Sequence, residues 1–141
     1  MKFSYCKLDA DFLEMWKWLD FRLSYDKANI LLLKGDLGAG KTTFVKEYLS
    51  HLGYDKNSID SPTFSIVNTY RQSDKKSYHF DLYRLNTPEE IDDLGFFEYT
   101  ESGNLCFVEW PEKIADFLPK DKVLNLNISV SSNQCREYLF S

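Results

Sequence analysis

The chain has 141 residues, of which 43% are hydrophobic and 28% charged, and its formal net charge is −5 at pH 7. These values are typical of one folded domain, which we predict over residues 1–141, and they exclude collagen-like and low-complexity chains. No apolar run approaches the roughly 20 residues of a membrane span, and the N-terminus lacks the apolar stretch of a secretory signal. We therefore expect a cytoplasmic protein with no membrane partner.

The negative net charge also indicates which partners the chain can bind by itself. Nucleic-acid affinity depends largely on neutralising phosphates, so this chain is poorly suited to hold RNA or DNA by itself. Its three cysteines, Cys6, Cys106 and Cys135, are odd in number and contain no CxxC pair. We predict reduced, structural thiols rather than a disulfide framework or a zinc site.

The first third of the chain predicts a strand, a helix and a second strand. A short strand over residues 3–7 precedes an amphipathic helix over about 9–25, whose apolar residues recur at helical spacing. Within that helix we predict that Trp16 is buried and Trp18 half-exposed. Residues 29–34 form an apolar run too short for a helix, which favours a strand buried on both faces of a parallel sheet.

That strand leads into the most informative segment, Gly35-x-x-x-x-Gly40-Lys41-Thr42, which a second amphipathic helix follows until Gly53. The pattern is that of a P-loop. Glycines let backbone N–H groups turn toward phosphate oxygens, and the helix N-terminus adds a partial positive charge. Lys41 supplies a charge for the β- and γ-phosphates, and the Thr42 hydroxyl ligates Mg²⁺. We predict a nucleoside triphosphate site here.

The remaining elements complete an α/β pattern. In chain order we predict hairpin strands over 63–70 and 77–83, a short helix from Pro88 to Leu94, a buried strand over 105–108, a short helix over 111–118, and paired strands over 123–130 and 135–140. The predicted fold is a single P-loop NTPase domain of the α/β class. It has a mixed, mostly parallel sheet that is flanked by helices and carries antiparallel hairpins.

Hydrolysis needs a carboxylate near the metal, and two positions compete for that role. Glu109 follows the buried strand over 105–108, whereas Asp81 lies within an alternating strand. We predict that Glu109 joins Thr42 at the metal and that Asp81 orients water or completes the outer metal shell. The alternatives are a structural role for Glu109, and for Asp81 a pair with Arg84 or the cap of a turn.

Three further polar residues have open roles. Strand alternation places His79 on the face of Asp81 and Tyr83, where it is either a general base or a structural histidine. Arg84 is either an arginine finger supplied in cis or part of a surface ion pair. His51 lies at a helix end, where a cation is favourable and no further role is needed.

Beyond the P-loop, several motifs occur in an order and spacing that resemble the TsaE (YjeE) family. These bacterial P-loop ATPases are required for threonylcarbamoyl-adenosine formation in tRNA. The motifs that carry the resemblance are Gly35–Phe44, Ser61-Pro62-Thr63-Phe64, His79-Phe80-Asp81-Leu82-Tyr83-Arg84-Leu85 with Pro88-Glu89-Glu90, Leu94-Gly95 and Val108-Glu109-Trp110-Pro111.

The resemblance implies roles for particular residues. Thr42 and Glu109 would hold Mg²⁺, Asp81 and Lys41 would act in catalysis, and Thr63 would sense the γ-phosphate of ATP. The nucleotide would contact Trp110, the C-terminal Arg136 and a run of P-loop residues. That run is Asp36, Leu37, Gly38, Ala39, Gly40, Lys41, Thr42 and Thr43.

The resemblance also implies partners. Members of this family bind the TsaD–TsaB complex and support its turnover through ATP, so tRNA would be met only through that complex. Many relatives carry a Thr before the first helix, near the base, where this chain has Leu8-Asp9-Ala10-Asp11. Base contacts from this segment are therefore not predicted.

Two other functions compete. A small-molecule kinase would need a cluster of arginines to clamp the transferred phosphate, whereas the four arginines of this chain are scattered. A nucleotide-gated binding module with incidental hydrolysis would use the segment from Ser61 to Thr63 as its switch. No NKxD motif for guanine occurs, which favours ATP, and we expect slow hydrolysis by the chain alone.

Overall fold

The computed structural model describes residues 1–7, 11–62 and 64–141. Within them the strands join into one sheet of seven. The strands are β1 (Lys2–Tyr5), β2 (Ile30–Lys34), β3 (Val67–Gln72), β4 (Lys75–Asp81), β5 (Leu105–Glu109), β6 (Val123–Val130) and β7 (Arg136–Phe140). The α-helices of the same residues are α1 (Leu13–Asp26), α2 (Lys41–His51), α3 (Pro88–Asp93) and α4 (Phe96–Glu101). In this described part of the chain, no helix combines the length and the apolar character needed to cross a membrane.

The sheet has the order β1-β7-β6-β2-β5-β4-β3. Its four central strands, β6, β2, β5 and β4, run parallel to one another. At one edge β3 pairs antiparallel with β4, and at the other β7 pairs antiparallel with both β6 and β1. The predicted mixed, mostly parallel sheet with antiparallel hairpins is confirmed.

Strand β2 shows why helices cover both faces of this sheet. Leu31 and Leu33 pack in the core cluster that contains the buried residues of α1 and α2, whereas Ile30 and Leu32 pack in the cluster under α3 and α4. All four side chains are at most 1% exposed. Burial of each contributes about 1.5–3 kcal/mol, so an uninterrupted apolar run is stable only in the middle of such a layered fold.

The hairpin and two helical segments differ from their predicted bounds. The connection predicted over residues 71–76 is a two-residue turn at Ser73 and Asp74, because the polar residues on either side continue β3 and β4. Helix α4 was not predicted, since its N-cap is Gly95, which offers no side-chain capping signal. The helix predicted over 111–118 is instead two 3₁₀ turns, Pro111–Lys113 and Ala115–Phe117.

Helix α1 begins at Leu13 rather than residue 9, and the intervening residues 8–10 lie outside the described part of the chain. Trp16 is 7% exposed and Trp18 is half-buried, as predicted. Trp18 packs against Phe140, with the two ring centroids 4.8 Å apart.

The prediction that all cysteines are reduced is wrong for two of them. Cys6 and Cys135 form a disulfide whose Cα atoms are 3.9 Å apart, whereas Cys106 is free and buried as predicted. The cause is strand register. Tyr5 of β1 pairs with Arg136 of β7, so the next residues outward, Cys6 and Cys135, come to lie side by side.

Candidate nucleotide-binding site

The loop after β2 is shaped by two glycines. A Cβ on Gly35 would lie 2.6 Å from the carbonyl oxygen of Ile128, so only glycine lets the chain pass this close to β6. Gly40 has a φ of 109° and is the N-cap of α2, where its carbonyl accepts from the Phe44 N–H at 2.8 Å. The loop therefore turns directly into a helix N-terminus, which favours anions.

Lys41, the first residue of α2, is only 5% exposed. Its ammonium donates a hydrogen bond to the Gly35 carbonyl and lies 3.7 Å from the centroid of the Trp110 ring. Burial lowers the pKa of Lys41, while the carboxylates of Glu109 and Asp81 act in the opposite direction. The positive charge is thus held inside the loop by a carbonyl, an aromatic face and two acids.

The two predicted carboxylates meet at the carboxyl edge of the sheet. Asp81 ends β4 and Glu109 ends β5, and the two residues are direct register partners, 9% and 4% exposed. Glu109 Oε2 accepts a hydrogen bond from Thr42 Oγ1 at 3.1 Å. Asp81 Oδ1 accepts a hydrogen bond from the Tyr83 N–H at 3.0 Å. Asp81 therefore caps a turn and also remains part of the site.

His79 lies behind Glu109. Its Nε2 is 2.5 Å from Glu109 Oε2, and its side chain is fully buried. Strand alternation was predicted to place His79 on the face of Asp81, and the alternate residues Tyr78 and Phe80 do pack in the core cluster on the other face of the sheet. The contact between His79 and Glu109 was not predicted, because it depends on the register of β4 against β5.

A cavity of about 250 Å³ collects most of the predicted site residues. Its lining consists of Leu37, Gly38, Gly40, Lys41, Thr42, Thr43, Asp81, Glu109, Trp110 and Arg136. Three predicted residues are not in that lining. Asp36 is exposed at the start of the loop turn, Ala39 is buried beneath it, and Thr63 lies outside the described residues.

A second cavity, of about 560 Å³, adjoins the first one and shares Thr43 and Arg136 with it. Aromatic side chains line much of it, among them Tyr5, Trp16 and Tyr138. The Arg136 guanidinium is close to the loop, since a Cβ on Gly40 would lie 3.1 Å from its Nη1. Thr43 and Arg136 therefore lie between the acidic edge of the sheet and the aromatic cavity.

The donor atoms at the acidic edge suit Mg²⁺. The Thr42 hydroxyl and the Glu109 carboxylate are hard oxygen ligands already within 3.1 Å of each other. Magnesium is commonly bound by one or two protein oxygens together with substrate phosphates. The residues present therefore fit this metal.

Arg84 lies apart from that edge. Its guanidinium is 4.7 Å from the centroid of the Phe64 ring, a cation–π contact that the sequence did not predict. His51, in contrast, is at the end of α2 as predicted, where its Nε2 is 2.8 Å from Asp20 Oδ2. Neither residue lines the cavity at the P-loop.

Comparison with known proteins gives a consistent result. The model of the family described as threonylcarbamoyl adenosine biosynthesis protein TsaE matches residues 10–138. The tRNA threonylcarbamoyladenosine biosynthesis protein TsaE of Haemophilus influenzae is 42% identical over 103 residues, which are 73% of this chain and 65% of that protein. The protein of the same name from Bacillus subtilis is 39% identical over 113 residues, 80% of this chain and 69% of the relative.

A solved structure also matches. Bacillus subtilis YdiB superposes with a TM-score of 0.66 at 30% identity, over 99% of this chain and 83% of its own. For relatives such as those from Haemophilus influenzae and Rickettsia felis, the match spans less than two thirds of their length, 65% and 58%.

Proposed function

Because this chain belongs to the TsaE family, we propose that it binds ATP with Mg²⁺, hydrolyses the nucleotide slowly, and thereby supports threonylcarbamoyl-adenosine formation in tRNA. It would do so by acting on the TsaD–TsaB complex, with tRNA met only through that complex. The single observation that carries the ATPase part of the proposal is the 3.1 Å contact between Thr42 of the P-loop and Glu109 of β5.

The P-loop is the phosphate-binding element of this proposal. Backbone N–H groups between Asp36 and Thr43, at the N-terminus of α2, would surround the phosphate oxygens. Lys41 would exchange its hydrogen bond to the Gly35 carbonyl for one to the β- and γ-phosphates. That exchange is favourable because a charge-assisted bond between ammonium and phosphate is stronger than one to a neutral carbonyl.

Thr42 and Glu109 are the residues that would hold Mg²⁺, which when bound neutralises charge on the transferred phosphate. Asp81, the register partner of Glu109, would orient the attacking water from the neighbouring strand. Its hydrogen bond from the Tyr83 N–H fixes the carboxylate at one oxygen and leaves the other for water. Thr63 would sense the γ-phosphate, as the family resemblance implies.

The aromatic cavity is the proposed place for the base. Tyr5, Trp16 and Tyr138 line this cavity together with Thr43 and Arg136. Tyr5 is the most exposed of the three aromatic residues. An aromatic lining suits a flat nucleobase, and it does not by itself select adenine.

A nucleotide-gated binding module is the second candidate, and one contact favours it. The Ile66 carbonyl, three residues beyond the switch segment, accepts a hydrogen bond from the Asp81 N–H at 2.8 Å, and Phe64, directly after that segment, is 84% exposed. The backbone of Asp81 is thus joined to a stretch of chain that carries an exposed aromatic side chain. In this alternative ATP binding alone, and not hydrolysis, would control association with the partner.

The test is ATP hydrolysis by the purified protein, alone and with TsaD, TsaB and tRNA, for wild type, Asp81→Ala and Glu109→Ala. Glu98→Ala removes an exposed carboxylate of α4 and serves as the matched control. We expect slow hydrolysis alone, repeated modification turnover in the mixture, and failure of both in the two site variants. Partner binding that needs ATP but survives in Asp81→Ala would favour the gated module, and rapid hydrolysis that ignores the partners would contradict the proposal.

A further inference from the structure

His79 contacts a side chain of the site without lining the cavity itself. It is fully buried on β4, is absent from the cavity lining, and places Nε2 2.5 Å from Glu109 Oε2. We propose that His79 is a positioning residue for Glu109, holding its carboxylate in the orientation that binds Mg²⁺. This inference rests on the proposed function, because it assigns Glu109 to the metal.

The hydrogen bonds around Glu109 fix the direction of the contact. Glu109 Oε2 accepts a hydrogen bond from Thr42 Oγ1, and an ionised carboxylate can only accept, so His79 donates through Nε2. Within the described residues, His79 Nδ1 has no hydrogen-bond partner. The neutral tautomer with its hydrogen on Nε2 satisfies the contact and leaves no buried N–H without an acceptor.

Burial shows that packing alone does not require a histidine here. The ring lies against Phe107, with the two centroids 6.3 Å apart, and His79 and Phe107 are register partners of β4 and β5. An apolar side chain would fill this space without leaving a nitrogen unpaired. Buried polar groups are unfavourable unless they make hydrogen bonds, and every hydrogen bond of this imidazole among the described residues goes to Glu109.

The consequence is a carboxylate with restricted rotation. Both hydrogen bonds that the Glu109 carboxylate receives within the described part of the chain end on Oε2, one from the P-loop and one from the core of the sheet. When Thr42 turns its oxygen toward a metal, His79 still holds the carboxylate in place. Such outer partners of metal ligands typically change metal affinity by about 10- to 100-fold when they are removed.

The experiment compares two amides that differ by one methylene. In His79→Gln the amide nitrogen reaches about as far as Nε2 and can still donate to Glu109, whereas in His79→Asn it reaches only as far as Nδ1. The measurement is the Mg²⁺ concentration that half-saturates binding of a non-hydrolysable ATP analogue, followed by calorimetry. A parallel titration in EDTA gives nucleotide affinity without metal, and His79→Leu is a further variant that has no donor at all.

We expect the half-saturating Mg²⁺ concentration of His79→Gln to be within about threefold of the wild-type value. For His79→Asn and His79→Leu it should be about tenfold higher than for wild type. Affinity in EDTA should be the same for all four proteins. Equal Mg²⁺ dependence in the Gln and Asn variants would overturn the proposal. So would unfolding of both the Asn and the Leu variants beside a folded Gln variant, since the role of His79 would then be structural. A wild type that binds no nucleotide would instead refute the proposed function.

Discussion

Asp81 and Glu109 are register partners at the carboxyl ends of two adjacent parallel strands, yet their side chains make different hydrogen bonds. Glu109 is held by hydroxyl and imidazole donors, whereas Asp81 accepts a backbone N–H two residues along its own chain. Two neighbouring carboxylates in different surroundings suit different tasks, one at the metal and one at the water. The predictions for this edge of the sheet follow from that division.

Asp81→Asn should separate hydrolysis from binding. The amide oxygen still accepts from the Tyr83 N–H, so the turn is kept, but the negative charge that would orient water is lost. We expect the hydrolysis rate to fall about 100-fold, at the low end of the range for a proton-transferring group, with nucleotide affinity changed less than threefold. Single-turnover hydrolysis and calorimetry measure the two quantities. Asp92→Asn on the exposed face of α3 is the control, and an unchanged rate in Asp81→Asn would remove Asp81 from the mechanism.

Lys41→Ala should weaken nucleotide binding. Loss of one charge-assisted hydrogen bond, about 1.5–3 kcal/mol, corresponds to an affinity about 10- to 100-fold lower. Lys46→Ala is the matched control, because Lys46 lies on the same helix but outside the cavity lining. Calorimetric titration with ADP gives the comparison. If the two variants bind alike, the P-loop is not the phosphate site.

Trp110 should report on the phosphates. The Lys41 ammonium lies 3.7 Å from the centre of its ring, and it would leave that position to contact a phosphate. Inorganic triphosphate with Mg²⁺ should therefore change tryptophan fluorescence even though it has no base. Trp18 packs against Phe140, so the fluorescence change should persist in Trp18→Phe. It should vanish in Trp110→Phe. A signal that survives in Trp110→Phe would come from elsewhere, and Lys41 would not be leaving the ring.

Sequence reasoning predicted the P-loop and both carboxylates because each is encoded locally. A glycine pattern between an apolar run and a helix, an acid that follows a buried strand, and an acid within an alternating strand are visible without knowledge of any partner strand. The parallel core followed from the same apolar runs, and the alternation of β4 placed His79 on the correct face. These features depend on neighbours within a few residues of one another.

What the sequence did not predict depends on register between distant segments. The contact of His79 with Glu109 needs β4 to pair with β5 in one alignment, and the Cys6–Cys135 disulfide needs β1 to pair with β7. The cation–π pair of Arg84 and Phe64 likewise joins residues that no local pattern connects. A strand's own sequence indicates which face is buried, but not which residue of another strand lies opposite.

The disulfide should stabilise the fold. Cys6 and Cys135 are separated by 129 positions, and cross-linking so long a loop restricts the unfolded chain, which the loop-entropy model values at up to about 5 kcal/mol. Urea unfolding with and without reducing agent should therefore show a lower free energy of unfolding under reducing conditions. In the double variant Cys6→Ser, Cys135→Ser the reductant should have no effect. Equal stability of oxidised and reduced wild type would show that the bond adds nothing to the folded state.

Cys106 should make stability fall at alkaline pH. Burial raises the pKa of its thiol from 9.0 to about 12, and its Sγ lies 3.4 Å from the Asn104 carbonyl that accepts its hydrogen. Between these two values the folded state keeps the proton and the unfolded state loses it. The folded state then binds more protons, and the free energy of unfolding decreases as pH rises, by up to about 1.4 kcal/mol per pH unit. Cys106→Ala has no thiol and therefore lacks this pH-dependent decrease in the free energy of unfolding, although it loses packing contacts at every pH. Urea unfolding of wild type and Cys106→Ala should be measured at pH 7 and pH 10. The difference between their free energies of unfolding should be smaller at pH 10. A constant difference would mean that the thiol does not titrate on unfolding in this range.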